Sequence, residues 1–195
     1  IDAIGEFETL TVWDNDKKIH SMKYPYSVGL LYSAITDRIG LKANEEEYIT
    51  MGMAAYGKPI YTTAIKKLLK QNLHKGCRDF LPWAKPFDLA ASVQKVYEQI
   101  LLKLVDNYCK KDNLIISGGC ALNCVANSLV KKNIWIMPNP GDSGSALGCI
   151  PAVTKERLNW KGPFLGYNIE GEYPVDNIIK ELETNKMVGV ANGLS

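Results

Sequence analysis

Two copies of one local pattern, in close succession, constrain this chain more than anything else in it. The first is Leu114 to Asn127, LIISGGCALNCVAN. Leu114-Ile115-Ile116 is a short, branched apolar run that reads as a buried strand. Ser117-Gly118-Gly119 stops it. From Cys120 to Leu129 the apolar residues Ala121, Leu122, Val125, Ala126 and Leu129 fall at helical spacing. The second copy is Ile134 to Gly148, IWIMPNPGDSGSALG. Ile134 to Met137 reads as another buried strand, ended by Pro138 and Pro140, which cannot donate to a ladder. Gly141-Asp142-Ser143-Gly144 then turns into a helix, Ser145 to Lys155, interrupted by Pro151. A glycine turn between strand and helix sets bare N–H groups at a helix N-terminus, where the dipole is positive and donors lack partners. That arrangement holds phosphate, and glycine lets the phosphate approach the backbone. The plainer reading of one such turn is a tight connection. Two of them favour an α/β nucleotide site at the carboxyl ends of parallel strands. Asp142 reads either as a helix N-cap or as a carboxylate aimed at a metal–nucleotide complex.

Composition sets outer bounds. The 195 residues suffice for a domain with a proper core, and 46% hydrophobic with 23% charged residues is ordinary for a globular chain. A net charge of +2 points to no nucleic-acid or membrane surface. The five cysteines, Cys77, Cys109, Cys120, Cys124 and Cys149, show no Cys-x-x-Cys spacing. They read as small buried residues of a reducing, cytoplasmic protein. No apolar run reaches membrane-spanning length, and no signal sequence is visible. His20 and His74 stand alone, at no ligand spacing. Ile1 and Ser195 each fall in or beside a strand-like run, the latter just after Met187 to Ala191, so the chain reads as a fragment of a longer protein.

Ile1 to Trp13 suits a strand, Asp14-Asn15-Asp16 a turn, and Lys17 to Met22 the return of a hairpin. Ser27 is placed to cap a helix striped with Leu30, Leu31, Ala34, Ile35 and Ile39, and Gly40 to stop it. Tyr61 to His74 reads as one amphipathic helix, with Lys66, Lys67 and Lys70 on a solvated face. After a proline-bearing loop, Asp88 is expected to cap the clearest helix, Leu89 to Cys109. Its apolar set is Val93, Val96, Tyr97, Ile100, Leu101, Leu104, Val105 and Tyr108. Pro174 opens a last helix, Val175 to Glu183.

The two glycine units together resemble the Gly-Gly-x-Ala-Leu-Asn-x-x-x-Asn and Pro-x-x-Gly-Asp-x-Gly-x-Ala-x-Gly segments of the nodulation-type O-carbamoyltransferases. The stretch Glu47, Tyr48, Met51, Gly52, Ala54, Tyr56 and Gly57 is similar to another segment of that family. Asp2, Gly5 and Glu6 resemble its Val-Asp-Gly-x-Gly-Glu. Departures are Ala3 for a glycine, Tyr26 for a histidine, Glu46 for a glycine and Ile49 for a lysine. The resemblance implies an α/β fold of the actin-like ATPase (ribonuclease H-like) type, present in part, its strand–Gly turn–helix units lying on a mixed sheet. It is similar to the ATPase of tRNA threonylcarbamoylation. Residues 1–160 would be the C-terminal part of that domain. Residues 161–195 would be a linker and the truncated start of an adenylate-forming domain.

The same resemblance implies site residues. Asp2 would be catalytic, on the phosphate-side loop; the plainer alternative is a strand-end turn residue. Gly118, Gly119, Asn123, Glu47 and Gly144 would bind nucleotide, Glu47 through a ribose hydroxyl. Asp142 would ligate a divalent metal, iron-like or magnesium, with further ligands upstream. The implied chemistry is ATP-dependent: carbamoyl phosphate gives carbamoyl-adenylate, and the carbamoyl group passes to a hydroxyl of a sugar or antibiotic-like molecule. A homodimer is one assembly open to it. A small-molecule kinase of the same superfamily and a non-catalytic nucleotide-binding subunit are the competing readings. The fragment alone is expected to be inactive.

Overall fold

The computed structural model describes residues 1–160, 162–163, 166–168 and 170–189. They fall into two compact units, Ile1–Cys149 and Ile150–Ser195.

The first unit opens with the expected hairpin. Strand β1, Glu8–Asp14, pairs antiparallel with β2, Lys17–Lys23, placing Thr11 opposite Ser21. Asn15 takes the positive φ of 51° that a two-residue hairpin loop requires. Helix α1, Val28–Arg38, starts on Ser27, whose Oγ accepts from the Leu30 N–H at 3.0 Å. Gly40 follows at φ 91°, a left-handed stop. The sequence predicts an apolar stripe on this helix, but every residue from Val28 to Thr36 is buried. A helix covered all round must satisfy its polar side chains internally. Tyr32, Ser33 and Thr36 do so, with Gln94, Glu47 and Thr50 respectively.

Helix α2, Glu47–Met53, runs into a 3-10 turn at Ala54–Tyr56. The single helix expected over Tyr61 to His74 is two pieces: α3, Thr62–Leu68, and a 3-10 turn, Leu73–Lys75. Asn72 is the cause, because its side chain accepts from the His74 N–H and begins a new turn. Lys66, Lys67 and Lys70 are exposed, as expected.

Helix α4, Pro86–Tyr108, begins earlier than the sequence reading allows. Pro86 supplies a preset φ at the first helical position. Asp88 therefore lies in the first turn and is not the cap; its Oδ1 accepts from the Lys58 N–H at 2.8 Å. Val93, Val96, Tyr97, Leu101 and Val105 are buried as their spacing demands. The helix packs against α1, α2 and α3 and shares one apolar core with Ile116, Ala121, Ala126 and Val130.

Strands β3, Asn113–Ile116, and β4, Asn133–Ile136, pair in parallel with Leu114 opposite Ile134. Both are expected to be buried strands. Burial alternates instead: Ile116 is buried on the core side, while Ile115 and Trp135 are 69% and 54% exposed on the other face, which no element among the described residues covers. The helix expected from Cys120 to Leu129 is also broken. A 3-10 turn, Gly119–Leu122, gives way at Asn123 to the four-residue helix α5, Cys124–Asn127. Asn123 caps α5 by accepting from the Ala126 N–H. Of the predicted stripe, Ala121 and Ala126 are buried while Leu122, Val125 and Leu129 are exposed.

Helix α6, Asp142–Thr154, starts three residues before the expected Ser145 and continues through Pro151. The Pro151 ring leaves the Leu147 carbonyl without its helical donor. In the second unit, α7 spans Val175–Asn185 and ends on Lys186 in the left-handed region. Met187 to Gly189 form no strand, and the rest of the run expected there lies outside the described residues.

Candidate functional site

The first glycine turn is built against the start of the chain. Ile1 runs beside the end of β3: its N donates to the Ser117 carbonyl at 2.8 Å, and its carbonyl accepts from the Cys120 N–H at 3.3 Å. Gly118 sits between them at φ 93° and ψ 166°, where a Cβ would run into the Ile1 carbonyl. This pairing brings Asp2 beside Gly119. A methyl group built on Gly119 would lie 3.3 Å from Asp2 Oδ1. The Asp2 backbone is held in turn by α1. Ser27 Oγ donates to the Asp2 and Ala3 carbonyls, and a Cβ on Gly29 would meet the Ala3 nitrogen at 2.5 Å. Asp2 Oδ1 accepts from the Ala3 N–H at 2.8 Å.

The turn offers fewer free donors than a bare helix start. The Gly118 N–H donates to the Pro140 carbonyl at 2.8 Å, and the Cys120 N–H is taken by Ile1. Among the described hydrogen bonds, the Gly119 N–H has no acceptor. Glu47 begins α2, and its Oε1 accepts from Ser33 Oγ at 2.6 Å and the Asn44 N–H at 2.7 Å. Its charge acts on both Tyr32 and Cys120, so it belongs to the same region. Asn123 is tied to Gln94 by two hydrogen bonds, 2.8 and 3.0 Å.

The second glycine turn touches the first through Pro140, whose carbonyl accepts from Gly118 and from Ser117 Oγ. Gly144 is buried, and a Cβ there would clash with the Asn139 carbonyl. This close approach gives Gly144 a packing reason of its own. Asp142 is exposed in the first turn of α6, where a carboxylate complements the dipole. Among the described residues no group of three His, Cys, Asp or Glu side chains comes together as a metal site. One exposed carboxylate does not fit a divalent ion, which needs several converging ligands.

Sequence reasoning missed Ser27 and Gly29 as the supports of Asp2, and it missed Gln94. A signal for Gln94 existed. Ser92, Gln94 and Glu98 are polar residues among the inward positions of α4, and all three are buried. Buried polar side chains need partners, so they mark a network.

Burial pushes the Cys120 thiol up to about 12, with the Asp2 and Glu47 charges adding to the rise against the opposing chain amino group. Burial likewise pushes Cys77 up to about 11. Both thiols stay protonated in the folded chain where an unfolded thiol ionises, near pH 8.5. Above that pH the folded state binds more protons than the unfolded one, so stability must fall as pH rises. The urea midpoint is expected to drop between pH 8 and pH 10.5, and Cys120→Ala should flatten the drop. A slope that Cys120→Ala leaves unchanged would show that this thiol is not buried.

The first unit is thus an α/β body whose glycine turn, chain start and buried helix meet around Asp2. It matches the family described as Carbamoyltransferase N-terminus over residues 1–87 and 83–150, and the chain belongs to that family. An uncharacterized protein of Synechocystis sp. is 34% identical over 201 residues, taking in 81% of this chain and 33% of that protein. An uncharacterized protein of Methanocaldococcus jannaschii is 28% identical over 193 residues, 83% of this chain and 36% of its own. Nodulation protein U of Azorhizobium caulinodans is 33% identical over 101 residues, 42% of this chain and 18% of its own. The chain spans about a third of the length of the first two relatives. No helix among the described residues is long and apolar enough to cross a membrane.

Proposed function

We propose that this chain contributes the nucleotide-binding part of an enzyme that transfers a carbamoyl group to a hydroxyl. The donor in this reading is carbamoyl-adenylate, made from ATP and carbamoyl phosphate, and the acceptor is a sugar or antibiotic-like small molecule. One observation carries the placement: Asp2 lies beside Gly119, whose N–H has no described acceptor, in a chain of the carbamoyltransferase family.

The chemistry is balanced without a redox partner. The acceptor oxygen forms a bond to the carbamoyl carbon. The bond from that carbon to the AMP phosphate oxygen breaks, and AMP leaves with the electron pair. The hydroxyl proton passes to a base. Asp2 suits that role: Oδ1 is engaged by the Ala3 N–H, and no described hydrogen bond uses Oδ2. The Gly119 N–H supplies a donor for a phosphoryl oxygen, where negative charge is held and where it grows as AMP departs. Gly118 and Gly144 serve by allowing the turns to close. Glu47 retains Oε2 for a ribose hydroxyl. The actin-like ATPase fold is part of the same reading, supported by parallel β3 and β4 ending in the glycine turns.

Gly119→Val tests the placement. Its side chain would press on Asp2 and screen the Gly119 N–H. ADP affinity, measured by calorimetry, is expected to weaken by at least about tenfold, the scale of one lost charge-assisted hydrogen bond. Unchanged affinity would move the nucleotide elsewhere. An assay with ATP, carbamoyl phosphate and an acceptor panel tests the reaction itself. ATP turnover driven by a sugar without carbamoyl phosphate would favour a kinase.

A further inference from the structure

We draw no further inference here: the strongest candidate, the exposed apolar outer face of the parallel β3–β4 pair around Ile115 and Trp135, carries nothing because no element among the described residues lies on it and nothing in the structure shows what covers it.

Discussion

Gly118→Ala is expected to cost about 3 kcal/mol or more of folding stability, a large part of what a domain of this size holds. Two effects add. At φ 93° and ψ 166°, Gly118 occupies a region that is open essentially to glycine, and a side chain there costs about 1–3 kcal/mol. The new Cβ would also collide with the Ile1 carbonyl, which is backbone and cannot swing aside. That carbonyl accepts the Cys120 N–H, so the shift would break the hydrogen bond that joins the chain start to the turn. Gly119→Ala is the control. Its backbone needs no special φ, and its Cβ would meet only the Asp2 carboxylate, at 3.3 Å, which can rotate. It should lose less than about 1 kcal/mol. Urea unfolding of the two variants beside the parent decides the matter. Similar midpoints for Gly118→Ala and Gly119→Ala would contradict the packing of Ile1 against the turn.

Leu89→Ala should destabilise the chain by about 2–5 kcal/mol, the range for emptying a buried leucine site. Leu89 has no exposed surface and lies in the first turns of α4, the helix that α1, α2 and α3 pack against. Helices on several sides limit how far the site can collapse, which places the loss in the upper half of that range. Val153→Ala, at 83% exposure, should change stability by less than about 0.5 kcal/mol. Chemical denaturation at one fixed pH measures both. A loss near 1 kcal/mol at Leu89 would mean that α4 is not the centre of the core.

The local elements were legible where their causes are local. A two-residue loop with asparagine made the β1–β2 hairpin, and a serine before an apolar run made the start of α1. Three-four spacing found α4, whose buried residues are those the period demanded. The reading failed where a side chain competed with the helix. Asn72 and Asn123 each restart the chain by capping a new turn, and apolar periodicity carries no sign of that. Asp88 looked like a cap because it precedes an apolar run, but Pro86 had already fixed the helix start.

The site divides along the same line. By itself the sequence determined that two glycine turns end short apolar strands, that Asn123 follows the first of them within a few residues, and that the chain resembles carbamoyltransferases. Those are properties of residues a few positions apart, set by sterics and local hydrogen bonding. Only the tertiary structure decided that Asp2 meets Gly119, and that Gln94 grips Asn123 while accepting from Tyr32, 62 residues away in the chain. It also decided which N–H groups of the turn are already taken, by Ile1 and Pro140. Such pairings follow from how α1, α4 and the chain start pack around one core. Burial then forces each enclosed polar atom to find a partner, and no local pattern says which.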